Sequence, residues 1–333
     1  MSKKTREFRK HLNWLKHRQE KIEKRRKSKK KHKRKKNIGI RFTPESVIID
    51  FPKHIDLYNK YRCKETLDFF NQEFNNMDNY PKGIIFDFTN TRKISLSGGI
   101  IIKCLFDFLK SKKTKIIIQN TVDNKVKQIL CHIGLVSDEA IQITHDDISR
   151  WQIQSWNKKE TPRKKIKMDL ISSIIQKTTD WGIRTKSHKR LYEVIPEILY
   201  NCIEHAYNED DEFQWFYLFS GIADNNYVFC VLDRGMGFKA TYEKRGVVSP
   251  DKIKNDGDYI RFSIEHNHSS LFKSGRGNGL PALKENILAL SGHIFIHSYK
   301  GEVVIFKKNE IQSENRYPLV GSLLQFSVPK GEA

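Results

Sequence analysis

Between residues 39 and 145, short apolar runs alternate with stretches whose apolar positions recur every three or four residues. VIIDF (47–51), GIIFDF (83–88), KIIIQ (115–119) and IQIT (141–144) have the length and content of strands. The stretches near 56–77, 97–109 and 123–133 carry the helical period. Apolar strands alternating with amphipathic helices predict an α/β fold, with a sheet covered by helices. Residues 151–167, WQIQSWNKKETPRKKIK, lose the period, gather charge and hold a proline, which predicts a linker.

A second region follows from residue 168. In LYEVIPEILYNCIEHAY, the positions Leu191, Val194, Ile195, Ile198, Leu199, Cys202, Ile203 and Ala206 share one helical face, and Glu193, Glu197, Asn201 and His205 line the other. Strands are predicted at 213–219 and 227–232, joined by an Asp-Asn-Asn turn, and again within 291–301 and 321–329.

The length of 333 residues fits roughly two domains of about 150 residues each. The apolar runs are too short to cross a bilayer, and no apolar stretch stands behind the basic start, so neither export nor a membrane span is expected. Five cysteines are scattered without a CxxC pair. They read as small hydrophobes in a reducing, cytoplasmic setting, and their spacing gives no sign of structural zinc.

Charge changes the picture at one end. Residues 1–36 hold 19 Lys or Arg against 3 Glu, a net +16 of the chain's +22. Phe8, Leu12, Leu15 and Ile22 fall at helical spacing, whereas RRKSKKKHKRKK has nothing to bury. A short amphipathic helix followed by a disordered tail is expected. Such a tail lowers its free energy by releasing counterions from a polyanion, so nucleic acid is the leading partner; ribosomes or another polyanion, anionic membrane surfaces and a merely solubilising role are the alternatives. The predicted organisation is an arm (1–38), a first domain (39–150), a linker (151–167) and a second domain (168–333).

The first domain, from GIIFDFTNTRKISLSGG to the helix ending in Gly134 and Leu135, resembles a STAS domain, the fold of anti-sigma-factor antagonists. Phosphorylated members carry an Asp-Ser-Ser-Gly-like turn. Here the stretch is Ser95, Leu96, Ser97, Gly98, with Leu96 at the acceptor position. Ser95 and Ser97 are neighbouring hydroxyls, and Ser97 is expected to cap the following helix.

Chemistry gathers in the second domain. The strand ending at Asp233 runs into DRGMGF, where a carboxylate can accept from an exocyclic amine and Gly235 and Gly237 let backbone approach a flat ring. Further on, SGRGNG places Gly275, Gly277 and Gly279 before an apolar helical run, an arrangement suited to phosphate oxygens at a helix N-terminus. No GK[ST] follows, so this is not a Walker A loop, and no strand immediately precedes it, as a dinucleotide fingerprint requires.

In order, Glu197/Asn201, Asp233/Gly235/Gly237 and Gly275/Gly277/Gly279 resemble the N, G1 and G2 boxes of the GHKL ATPase superfamily, closest locally to the anti-sigma-factor kinases. The resemblance covers about residues 185–330 and implies an α/β sandwich of the Bergerat type that binds ATP and Mg²⁺. It implies that Asn201 ligates Mg²⁺, that Asp233 reads adenine, and that Glu197 is the general base. The loop of Gly275, Gly277, Asn278 and Gly279 would close over the phosphates, with Lys273 and Arg276 as candidate charges and Ser322 where a threonine is usual. Residues 239–275 would form a lid. Water as nucleophile gives a slow ATPase switch acting on a protein partner or nucleic-acid complex; a serine hydroxyl gives a protein kinase; a pocket without turnover gives an ATP sensor. A histidine kinase lacks its upstream acceptor pattern, and HNH (266–268) reads as polar lid residues. A homodimer is left open.

Overall fold

The apolar runs of the first region pair as parallel strands in the computed structural model, which describes residues 40–42, 46–57, 60–76, 83–119, 123–136, 152–159, 185–223, 225–245, 253–265, 279–307 and 309–330. Strand β1 (Ile40–Phe42) runs antiparallel to β2 (Val47–Asp50), which is parallel to β4 (Gly83–Asp87), itself parallel to β6 (Lys115–Gln119); the sheet order is β1-β2-β4-β6. Parallel neighbours need long crossovers. Helices α1 (Lys60–Asn76) and α2 (Leu96–Ser111) lie in those connections, alongside a two-stranded pairing of β3 (His54–Ile55) with β5 (Lys93–Ile94). Helix α3 (Asn124–His132) follows β6, its N-terminal amides capped by Asp123. The expected strand at 141–144 and the basic arm lie outside the described residues.

The start of α2 departs from expectation. Ser95, not Ser97, is the cap: its Oγ accepts from the Gly98 N–H at 3.1 Å. Ser97 is buried inside the first turn, where its Oγ accepts from the Leu57 N–H at 3.1 Å. Leu96 is buried beside it.

The second sheet is antiparallel throughout, in the order β10-β11-β9-β8-β7. Its strands are β7 (Gln152–Asn157), β8 (Trp215–Ala223), β9 (Asn226–Asp233), β10 (His293–Phe306) and β11 (Asn309–Pro329). Strand β7 corrects the linker expected at 151–167, whose remainder from 160 lies outside the described residues. An edge strand needs only one apolar anchor; Trp156 supplies it, buried and stacked on Phe216 with ring centroids 5.5 Å apart.

Strands β8 and β9 are largely apolar because both faces of the sheet are covered there. Phe216, Leu218, Phe229 and Val231 pack with residues of α4 (Thr185–His205), α6 (Asp256–Glu265) and α7 (Gly279–Ala289). The alternate residues Tyr217, Phe219, Cys230 and Leu232 belong to the core that holds Ile49, Phe86, Leu67 and Leu105 from the first region. Burying each such side chain is worth about 1.5–3 kcal/mol. A polar contact crosses the same boundary: the Tyr217 hydroxyl donates to Asp107 Oδ2 at 3.1 Å, while Lys103 Nζ, one turn earlier on the same helix, holds Asp107 Oδ1 at 2.6 Å. The fold is mixed α/β, and the described elements from Ile40 onward form one compact unit with a shared core. Among the described residues no helix is long and apolar enough to cross a membrane.

Candidate functional site

Helix α4 buries the face its sequence pattern marks. Leu191, Val194, Ile195, Ile198, Leu199, Cys202 and Ala206 are buried, and Ile203 is half-buried. Glu197 is half-buried and Asn201 exposed, on the side away from the core. Gly279, the first residue of α7, lies against this side. A β-carbon there would stand 3.2 Å from Glu197 Cβ and 3.4 Å from Asn201 Nδ2. The absence of a side chain lets the N-terminus of α7 approach the stem of Glu197 and the side-chain amide of Asn201. Farther up the helix, Arg190 Nη1 donates to Asn286 Oδ1 at 2.7 Å and fixes α4 against α7.

The next site segment begins where β9 ends. Asp233 is buried and pairs in register with Phe216 on one side and Ser322 on the other. Strand alternation turns its carboxylate toward α4, where the Cys202 thiol stands 3.9 Å from Oδ2. Oδ1 accepts from the Gly235 N–H at 2.8 Å. Burial pushes the carboxyl up to about 6, against the opposing pull of the Gly235 and Ser322 backbone N–H groups and of the Cys202 thiol. The group therefore changes charge close to neutral pH and presents acceptor oxygens in a place with little water.

Three glycines hold this corner together. A β-carbon on Gly235 would fall 2.0 Å from the Ala206 carbonyl oxygen. The next amide, of Met236, donates to that same carbonyl at 2.6 Å, tying the loop to the end of α4. Gly321, at φ +94°, passes so close to the Asp233 carbonyl that a β-carbon would overlap it at 1.9 Å. Gly237, at φ +75°, opens α5 (Gly237–Arg245) beneath Ser298.

Sequence reasoning passed over Ser298, Tyr207 and the polar role of Cys202. Ser298 Oγ accepts from the Phe238 N–H at 3.1 Å and donates to the Gly321 carbonyl at 3.2 Å, and it stands 3.3 Å from Ser322 Oγ, so it joins α5, β10 and β11. The Tyr207 hydroxyl accepts from the Arg234 N–H at 3.1 Å and donates to the Trp215 carbonyl. Tyr207 closes the helical stretch just before NEDD and Ser298 stands in the polar end HSYKG of a strand, so neither is marked by its local pattern. His205 falls in the last turn of α4, where its carbonyl accepts from Thr241 Oγ1 at 3.5 Å.

The expected lid is corrected in part. Residues 256–265 form a packed helix, with Ile260 and Ile264 in the core, and α5 covers 237–245. Lys273, Gly275, Arg276, Gly277, Asn278 and the HNH stretch lie outside the described residues. The arrangement thus brings Glu197 and Asn201 to Gly279, and Asp233 to Gly235 and Ser322, along one helix and one sheet edge. Asn201 and Glu197 offer oxygen ligands suited to a hard cation; Asp233 offers a desolvated acceptor for an amine donor. No protein-family model matches the chain, and no curated protein matches it.

Proposed function

We propose that the face formed by α4, the Asp233–Gly237 segment and the start of α7 binds ATP with Mg²⁺, and that the protein is a slow ATPase acting as a conformational switch. The observation that carries this reading is the contact of Gly279 with Glu197 and Asn201, which joins the end of a glycine-rich loop to a helix carrying a base and a cation ligand. In this reading the exposed Asn201 amide oxygen would hold Mg²⁺, a hard cation that would neutralise the charge of the phosphates. Asp233 accepts from the adenine amine, and the backbone amides around Gly275, Gly277 and Gly279 cradle the phosphates. Lys273 and Arg276 offset their charge.

Glu197, one turn before Asn201, polarises a water for in-line attack on the γ-phosphoryl group; positioning and charge neutralisation supply most of the rate. Burial of both Leu96 and Ser97 supports water over a hydroxyl of the chain's own STAS-like turn. The basic arm, by its charge, holds nucleic acid or another polyanion, and a regulated protein partner reads the nucleotide state.

Phosphate release tests the chemistry. Glu197→Ala is expected to keep MgATP affinity within about threefold and to lower turnover by a factor of about 10² or more. Turnover equal to the unaltered protein's would remove Glu197 as the base.

A further inference from the structure

Away from the proposed nucleotide face, Cys63 Sγ on α1 and one ring nitrogen of His297 and one carboxylate oxygen of Glu302 on β10 lie within 4.8 Å of one another, all three side chains buried. The sequence hides this cluster. Cys63 is far from the other two, and His297 and Glu302 are five residues apart, a spacing that points to opposite faces of a regular strand. The strand is not regular there. The register of β10 against β11 shifts between Ser298 and Tyr299 and again between Tyr299 and Gly301, and Tyr299 takes φ +51°. Such a bulge reverses the alternation, so both side chains are buried together.

The hydrogen bonds around the cluster leave a ligand position open. His297 Nε2 lies 3.1 Å from the Tyr299 carbonyl oxygen, which can only accept, and 3.4 Å from Asn315 Nδ2, which donates to Glu302; the shorter contact assigns the proton to Nε2, which donates to the carbonyl. Nδ1 keeps its lone pair, is buried, and has no hydrogen-bond partner among the described residues. Leaving such a nitrogen desolvated is costly. The Glu302 carboxylate is oriented from behind, Oε1 by Ser313 Oγ at 2.8 Å and Oε2 by Asn315 Nδ2 at 3.1 Å. An imidazole whose second nitrogen is bound to a carbonyl, and a carboxylate held by outer donors, are what metal ligands require.

We propose that Cys63, His297 Nδ1 and Glu302 bind one Zn²⁺, which clasps α1 to β10. Thiolate, imidazole and carboxylate together favour zinc over hard cations such as Mg²⁺. Bonds of about 2.0–2.3 Å place tetrahedral donors about 3.3–3.8 Å apart, so binding draws the cluster together by about 1 Å. The Cys63 thiol releases its proton to solvent as the Zn–S bond forms, and a water completes the four ligands. The clasp links the STAS-like layer to the second sheet and is independent of the nucleotide reading.

Titration of the chelator-treated full chain with Co²⁺, then with Zn²⁺, tests this. One equivalent of Co²⁺ per chain is expected to give a thiolate-to-metal charge-transfer band that Zn²⁺ displaces, and zinc is expected to raise the thermal unfolding midpoint. Cys63→Ser loses the band; Glu302→Gln weakens Co²⁺ binding about tenfold or more; Asn201→Ala, which alters only the proposed Mg²⁺ ligand, leaves both unchanged. No charge-transfer band in the unaltered protein, or a full band in Cys63→Ser, overturns the proposal. Should Cys63→Ser not fold, Glu302→Gln decides: unchanged Co²⁺ affinity overturns it equally.

Discussion

Gly279 and Asn201 are neighbours across two helices: a β-carbon on Gly279 would stand 3.4 Å from Asn201 Nδ2 and 3.2 Å from Glu197 Cβ. The second distance is tight enough that Glu197 must give way by a few tenths of an ångström. Alanine suits a helix better than glycine, so Gly279→Ala is expected to change stability by less than about 1 kcal/mol. It displaces Glu197 and presses on Asn201, the base and cation ligand of the proposed site, and MgATP affinity should fall about fivefold or more. Thermal unfolding and nucleotide titration of the same variant separate the two effects; affinity equal to the unaltered protein's would show that this approach is mere packing.

In the proposed site, Asp233 is expected to make nucleotide binding pH-dependent. Its carboxyl titrates near 6 in the folded chain against an ordinary 3.8. An ionised acceptor holds an amine more tightly than a neutral one by about 1 kcal/mol, so affinity should drop about fivefold as pH falls through 6. Stability runs the other way: burial penalises the charged form, so this group's cost is full above pH 6 and disappears as pH falls toward 4. Asp233→Asn should flatten both profiles. Binding and urea midpoints measured between pH 5 and pH 8 check this; an unchanged affinity profile in the variant would exclude Asp233 from the site.

The first sheet with its helices and the second sheet should unfold together, because Tyr217 and Phe219 share one core with Ile49 and Phe86. A single urea transition is expected for the chain from residue 40 onward. Tyr217→Phe removes the bond to Asp107 while Lys103 still holds that carboxylate, so the loss should be about 1–2 kcal/mol, read as a lower midpoint with unchanged slope. Two separate transitions would contradict the shared core.

How much of this was legible in the sequence follows from which interactions are local. The buried face of α4 and the strands β2, β4, β8 and β9 stand out because their apolar positions report burial directly, whereas β6 reads as an equally apolar run yet lies at the sheet's edge with Ile117 exposed. Strand β7 does not: it is an edge with one buried anchor, Trp156, followed by charge. The extension of β10 and β11 well past 301 is equally hidden, because a long hairpin with exposed residues on β11 reads as polar sequence. Ser95 rather than Ser97 caps α2 because the Leu57 amide claims Ser97, a tertiary contact that no local pattern encodes. The same holds at the site. Glu197, Asn201 and Asp233 are visible as polar residues at telling positions, whereas Cys202 and Ser298 act through partners distant in sequence, and the bulge that unites His297 with Glu302 leaves no compositional mark.

The central claim is that Asn201 carries Mg²⁺ for a nucleotide held by Asp233, and isothermal titration of ATP with and without Mg²⁺ tests it most directly. The unaltered protein is expected to bind one ATP per chain, at least about tenfold more tightly with Mg²⁺ than without. Asn201→Ala should lose that Mg²⁺ dependence, and Asp233→Ala should lose binding in either condition. No measurable ATP binding by the folded protein, or an Asn201→Ala variant with the full Mg²⁺ dependence, would contradict the account.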